Sequence, residues 1–304
     1  MAGSFGVVAR SKPDALSASL VVLTTGNRPR ELSAALESAR NQSVLWDQIV
    51  VVANGVPEAT VLDQVGPGVT VITMANNIGI PAGRNEGVAA TDSAVVVFLD
   101  DDATFAEPGL LRELLDRFEH SPELGAVSFR IIDEHGETAR RHVPRLRGSG
   151  PTVEGPVTSF LGGASAVRRA AFDGAGGLPG EFFYALEETD LSWALIDRGW
   201  QVRYLPGLRI MHPRTDAARH PAFLEHTARN RILLARRRLP LLLGVWYVAN
   251  WLAISSMRVR ARPAAMRALA RGTRLGVTAD GGLRHPISWR TVWRLTRLGR
   301  PPII

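Results

Sequence analysis

The chain has 304 residues, 45% hydrophobic and 21% charged, an ordinary globular balance that suits one large domain or two modest ones. Its 0 Cys exclude a disulfide framework and any Cys-based metal site, fit a reducing compartment, and stand beside an N-terminus without the basic-then-apolar pattern of a secretory leader. The net charge of +7 is uneven: residues 213–304 hold 18 Arg against Asp216, Glu225 and Asp280, a formal +15, which leaves −8 for residues 1–212.

The first half predicts alternating strands and helices. "SLVVLTT" (19–25) reads as a buried strand, and "RPRELSAALESARNQ" (28–42) as a helix with Leu32, Leu36 and Ala39 on one face. "QIVVVANG" (48–55) and "VTVITMANN" (69–77) are two further strands. A short helix in "AGRNEGVAATDS" (82–93) precedes a fourth strand, "AVVVFLD" (94–100). Apolar runs joined by helical crossovers predict a parallel sheet covered on both faces, with ligands at the carboxyl ends of its strands. Thr25, Asn54, Asn76 and Asp100–Asp102 all fall at such ends. "LGAVSFRII" (124–132) and "GWQVRYLPGLRIMH" (199–212) read as later strands, and the Pro/Gly-rich residues 142–157 as a loop. From about residue 222 the pattern turns helical and basic.

"VVVFLDDDATF" (95–105) ends an apolar strand with Asp100, Asp101 and Asp102. Two like charges about 4 Å apart repel by roughly 4 kcal/mol at an effective dielectric near 20. A hard divalent cation, Mg²⁺ or Mn²⁺, supplies the compensation and brings a phosphate ligand with it; the plainer alternative is a solvated acidic turn. Glu187, Glu188 and Asp190 form a second cluster at the start of a helix ended by Gly199. The helix dipole accounts for them structurally, while a catalytic reading makes one of them a base for a hydroxyl nucleophile. His212 closes a strand and offers a ring nitrogen to a metal. Gly79 and Gly83 of "NNIGIPAGRNEG" (76–87) would let backbone approach a phosphate, and Arg84 could pair with one.

Taken in order, these motifs resemble the family 2 inverting glycosyltransferases of GT-A fold, of the bacterial rhamnosyl or cell-envelope type, over residues 18–213. "TTGNRPRELSAALES" is similar to the family's opening Thr-Tyr-Asn-Arg segment, "VVANG" to its Asp-Asn-Gly signal, and "NNIGIPAGRNEG" to its Asn-x-Gly…Arg-Asn-x-Gly segment. "FLDDD" looks like its DxD motif, "FLGGASAVRRAAFDGAGGLPGEFFY" like its acceptor-side segment, "EETDLSW" like its Glu-Asp-x-Asp motif, and "RIMH" matches its late His. The resemblance implies a Rossmann-like, mixed but mainly parallel sheet, a nucleotide-diphosphate sugar donor and a divalent cation. It puts Thr25, Asn27, Arg28, Asn54, Arg84, Asp100 and Asp101 at the nucleotide, and Asp102 and His212 on the metal. Glu188 takes the base position, with Glu187 and Asp190 as alternates, and Gly162, Gly163 and Trp193 line the donor and acceptor pocket, unless Trp193 simply packs in the core. Ala53 stands where the family carries Asp, and Gly26 where it carries Tyr, so UDP, dTDP and GDP sugars all stay open.

Residues 239–257 form an apolar stretch between Arg236–Arg238 and Arg258, Arg260 and Arg262, with Trp246, Tyr247 and Trp251 suited to a headgroup boundary. The reading is an in-plane helix at an anionic membrane surface, ahead of a dimer or core helix and of a true span. No nucleic-acid motif is present, so nucleic acid is not expected as a partner. The expected organisation is an N-terminal arm (1–17), a catalytic domain (18–213) and a helical, Arg-rich extension (214–304) that associates with membrane or oligomerises. The expected activity is metal-dependent, inverting sugar transfer to a hydroxyl of a glycan or lipid-linked acceptor, in the cytoplasm at the inner face of the cell membrane. A sugar-phosphate nucleotidyltransferase and a non-catalytic docking protein on the same scaffold are the alternatives.

Overall fold

The computed structural model describes residues 16–144, 150–214 and 221–303. Residues 1–15 of the expected arm and 145–149 of the expected loop lie outside them.

The first crossover units are β1 (Ala18–Thr24), α1 (Pro29–Arg40), β2 (Gln48–Asn54), α2 (Ala59–Val65), β3 (Thr70–Met74), α3 (Ile80–Ala89) and β4 (Val95–Asp100). There follow β5 (Thr104–Phe105), α4 (Leu110–His120), β6 (Leu124–Ile132), β7 (Gly155–Pro156), β8 (Ala164–Arg168), α5 (Arg169–Ala175), α6 (Glu187–Asp197) and β9 (Gln201–Met211). The chain then runs through α7 (Pro221–Arg238), α8 (Leu241–Val259), α9 (Pro263–Thr278) and α10 (Trp289–Arg297).

One sheet runs β3-β2-β1-β4-β8-β6-β9-β5, with β7 on β9. Strands β3, β2, β1 and β4 are parallel, as their apolar runs predict. Strand β8 pairs antiparallel to both β4 and β6, which makes the sheet mixed, as the resemblance implies. Side chains alternate across β1. Leu20 and Val22 pack with Leu32 and Leu36 of α1 and Leu111 and Leu114 of α4. Val21 faces the other layer, with Val88 of α3, Leu191 and Leu195 of α6, and Leu233, Leu239 and Tyr247 from α7, its C-terminal end and α8. The basic extension thus shares a core with the sheet.

Within the extension, α7 and α9 approach closely because α9 turns small residues inward. A Cβ on Gly272 or Gly276 would overlap the α7 backbone at Glu225 or Arg229. No helix among the described residues is long and apolar enough to cross a membrane.

Candidate active site

Parallel pairing brings the carboxyl ends of β1, β2 and β4 to one edge of the sheet. A cleft of about 480 Å³ opens there. Its walls include Thr24, Thr25, Asn27, Arg28, Asn54, Asn77, Gly79, Arg84, Asp100, Asp101, Asp102, Phe183, Tyr184 and His212. Ten of the residues singled out from sequence meet in this one space: Thr25, Asn27, Arg28, Asn54, Gly79, Arg84, Asp100, Asp101, Asp102 and His212.

The acids have protein cations as well as one another. Arg84 donates to Asp100 at 3.0 Å. Arg28 bridges Asp101 at 3.3 Å and Asp102 at 2.5 Å, and Thr24 Oγ1 donates to Asp101 at 2.7 Å. The charge compensation that the triplet demands is therefore shared with two arginines. Burial pushes Asp101 above the usual carboxylate range, against the Thr24 hydrogen bond and Arg28. Burial also pushes Asp102 upward, but the His212 hydrogen bond, the His212 charge and Arg28 outweigh it and hold Asp102 low.

His212 arrives through strand pairing. β5 and β9 are antiparallel with Thr104 opposite Met211, so the residue after Met211 lands beside Asp102. His212 Nε2 lies 3.2 Å from Asp102 Oδ1, and this hydrogen bond raises the imidazole pKa. One ligand atom each from Asp100, Asp102 and His212 lies within 4.8 Å of the others. Two hard carboxylates and an imidazole suit Mg²⁺ or Mn²⁺. Gly163 leaves the room: its carbonyl accepts from the Asp100 N–H at 3.1 Å, and a Cβ there would overlap the Asp100 carboxylate.

Arg84 joins the acid triplet to the second cluster. Its side chain is 6% exposed, yet it reaches both Asp100 and Glu188, the latter at 3.8 Å. Burial raises the Glu188 pKa, opposed by Arg84. A Cβ on Gly162 would collide with both Glu188 and Arg84. Glu187 is 2% exposed, its Oε2 has no hydrogen-bond partner among the described residues, and burial lifts it to about 8. Asp190 points elsewhere. It is fully buried and clamped by Arg238, at 3.0 and 2.7 Å, and by Arg237 at 3.2 Å. Trp193 packs edge-on against Tyr247 at 6.1 Å, in the core and away from the cleft. Asn54 spends its amide on the loop ahead of α3: it donates to Asn77 Oδ1 and the Gly79 carbonyl and accepts from the Ile78 N–H. Gly26 has φ +71°, a left-handed position where a Tyr is strained, which gives the departure at that residue a backbone cause.

Sequence reasoning missed one wall of the cleft. Phe183, Ala185 and Leu186 all have positive φ, between 60° and 74°, a costly conformation for residues with side chains. Buried Asn230 of α7 holds this turn, its amide donating to the carbonyls of Phe182, Tyr184 and Ala185 at 2.9, 2.8 and 2.8 Å. His226 stacks on Phe183 at 5.5 Å and meets Tyr184 edge-on at 6.0 Å. The turn leads straight into Glu187 and Glu188 at the start of α6.

The chain is similar to several known glycosyltransferases. A pre-mycofactocin glycosyltransferase of Mycobacterium tuberculosis is 32% identical over 143 residues, 44% of this chain; the match spans only 30% of that relative's length. An N-acetylglucosaminyl-diphospho-decaprenol L-rhamnosyltransferase of the same species is 26% identical over 261 residues, 73% of this chain and 83% of the relative. Among solved structures, GalNAc-T7 with UDP, GalNAc and Mn²⁺ superposes with TM-score 0.64 at 14% identity, over 94% of this chain and 57% of that one. TarS of S. aureus gives 0.60 at 14% identity, over 84% and 80%. These likenesses place the fold in the GT-A class. The family model for glycosyl transferase family 2 matches residues 20–175, and the chain belongs to that family.

Proposed function

We propose that the chain transfers a sugar, with inversion, from a nucleotide-diphosphate sugar to a hydroxyl of a lipid-linked or cell-envelope glycan. The observation that carries this reading is the Arg84 bridge, in which one guanidinium links the strand-end acid Asp100 to the half-buried carboxylate of Glu188. Asp102 and His212, with Asp100 in reach, would hold a divalent cation, which when bound neutralises the diphosphate leaving group. Arg28 stands beside them to meet phosphate oxygens. Asp100 and Asp101 serve the nucleotide, and Phe183 and Tyr184 offer aromatic faces to the base or the sugar.

Glu188 takes the proton of the acceptor hydroxyl. The oxygen then attacks the anomeric carbon from the face opposite the nucleotide, the new C–O bond forms, and the bond to the phosphate oxygen breaks with its electrons. Direct displacement inverts the anomeric centre. The raised Glu188 pKa suits a general base. The named lipid-diphosphate rhamnosyltransferase relative and the arginine-rich extension support a lipid-linked acceptor met at the inner, anionic face of the cell membrane.

Thermal shifts with UDP, dTDP and GDP, each with and without Mn²⁺, test the donor reading. One nucleotide is expected to stabilise the chain in a Mn²⁺-dependent way, and Asp102→Ala to abolish the shift. No shift with any of the three overturns it. The anomeric configuration of the product, read by NMR, tests inversion.

A further inference from the structure

Helix α8 has two faces of opposite kind. Gly244, Tyr247 and Val259 are buried, and the Arg231 guanidinium of α7 donates to the Tyr247 hydroxyl at 2.7 Å while stacking on Trp251 at 3.4 Å. The outward face repeats Leu242, Trp246, Ala249, Ala253 and Met257 at helical spacing, and every one is exposed. Leu241 and Val245 widen the stripe; Leu242 is 84% exposed and Trp246 59%. Seven apolar side chains cover about 160° of the helix circumference, interrupted within the helix only by half-buried Ser256. A surface this apolar, in place on a folded chain, marks a contact with something else.

The surrounding charge says with what. No Asp or Glu occurs between Glu225 and Asp280. Arg258, Arg260 and Arg262 follow the stripe directly, Arg267 and Arg274 lie on α9, and all five are exposed with no ion pair among the described residues. A second copy of the chain seated on this face would bring two such cationic regions together and repel. Helix α8 is not long and apolar enough to cross a membrane. Beside the stripe, a groove of about 370 Å³ between α7 and α8 is lined by Ile232, Ala235, Val248 and Leu252, with Arg236 and Arg284 also on its wall. Both guanidiniums bond only backbone carbonyls among the described residues. An acyl chain fits the apolar lining, and a headgroup phosphate fits the arginines.

We propose that α8 lies in the plane of an anionic lipid bilayer, its Leu242–Trp246–Met257 stripe among the acyl chains and the following arginines on headgroup phosphates. The inference deepens the membrane-surface reading above and rests on it for the partner's identity. Trp246 sits where an indole favours the boundary between chains and headgroups.

The full chain is incubated with vesicles of phosphatidylglycerol and phosphatidylcholine, and separately with phosphatidylcholine alone. Co-sedimentation should favour the anionic vesicles by about tenfold or more and weaken in high salt. Tryptophan emission should shift to the blue and be quenched by lipids brominated in the acyl chain; Trp246→Phe should keep the binding and lose most of the quenching. The double variant Leu242→Glu, Val245→Glu should lose vesicle binding about tenfold while its Mn²⁺-dependent nucleotide thermal shift stays intact, which separates docking from donor binding. Should that variant fail to fold, replacing Arg258, Arg260 and Arg262 by Gln should still remove the preference for anionic lipid. A wild-type chain that ignores vesicles overturns the proposal. So does unchanged partition in a folded variant, or a lipid-free dimer that Leu242→Glu dissociates.

Discussion

Glu188 and Asp190 stand two positions apart on α6, yet they belong to different halves of the molecule. Glu188 faces Arg84 and Asp100 at the edge of the acidic sheet domain, partly open and set apart by 3.8 Å from its cation. Asp190 is clamped by two arginines of the basic extension with no exposure at all. The same contrast runs through the whole chain. At the cleft, acids outnumber their cations and leave capacity for a ligand. In the extension, some arginines tie down backbone and Asp190, as Arg236, Arg237, Arg238 and Arg284 do, and others are exposed with no ion pair among the described residues, as Arg258, Arg260 and Arg262 are. What a charge does here depends on what faces it, and neighbours in sequence share little.

Substitutions at four positions break that contrast at different points. Glu188→Gln should have the largest effect, lowering kcat by about 10²–10⁴-fold while donor binding persists. Because burial raises this carboxyl, and the base must be ionised, wild-type activity should rise with pH through a value above the ordinary carboxylate range. A pH–rate profile with its acidic limb at the ordinary range would move the base elsewhere. Arg238→Ala leaves Asp190 buried with a weakened counter-charge and should cost about 3–5 kcal/mol of stability in urea unfolding. Arg262→Ala, on the exposed side, should stay within about 0.5 kcal/mol. Asn230→Ala removes the bonds that hold three backbone carbonyls and should cost about 1–3 kcal/mol. It should lower kcat more than donor affinity, and Asn230→Asp, which lacks the N–H donors, should behave alike.

Much of the sheet was legible because β1, β2 and β4 are almost wholly buried and so read as unbroken apolar runs, "VVV" in both β2 and β4. The strand-end acids and His212 were legible because parallel strands deliver their carboxyl ends to one edge. Strand β8 was not: "ASAVR" is five residues long and carries no periodic signal, and its direction depends on tertiary pairing with β4 and β6. The helices α2, α4 and α5 also went unread, and the first and last of them have only seven residues each. Arg84 was read as a phosphate partner from its glycine-rich loop, but its reach to Glu188 joins segments far apart in the chain. Asp190 looked like a rival base because its helix position resembles that of Glu188; only the packing of α7 shows where its charge is spent. Asn230 gives no sign of its role. A lone Asn in an arginine-rich helix looks like any solvated polar residue, and the positive φ angles it supports leave no mark in "FFYAL".

The Asn230 turn has a consequence for how this enzyme divides into modules. The stretch that defines its family ends at residue 175, but the turn that walls the cleft is pinned from a helix beginning at Pro221. Grafting residues 16–214 onto a foreign tail would deliver the strand-end acids and His212 without the scaffold that holds the opposite wall of the cleft. A foreign tail would therefore have to bring an equivalent amide with it, which makes the rear of the protein part of the frame of the cleft.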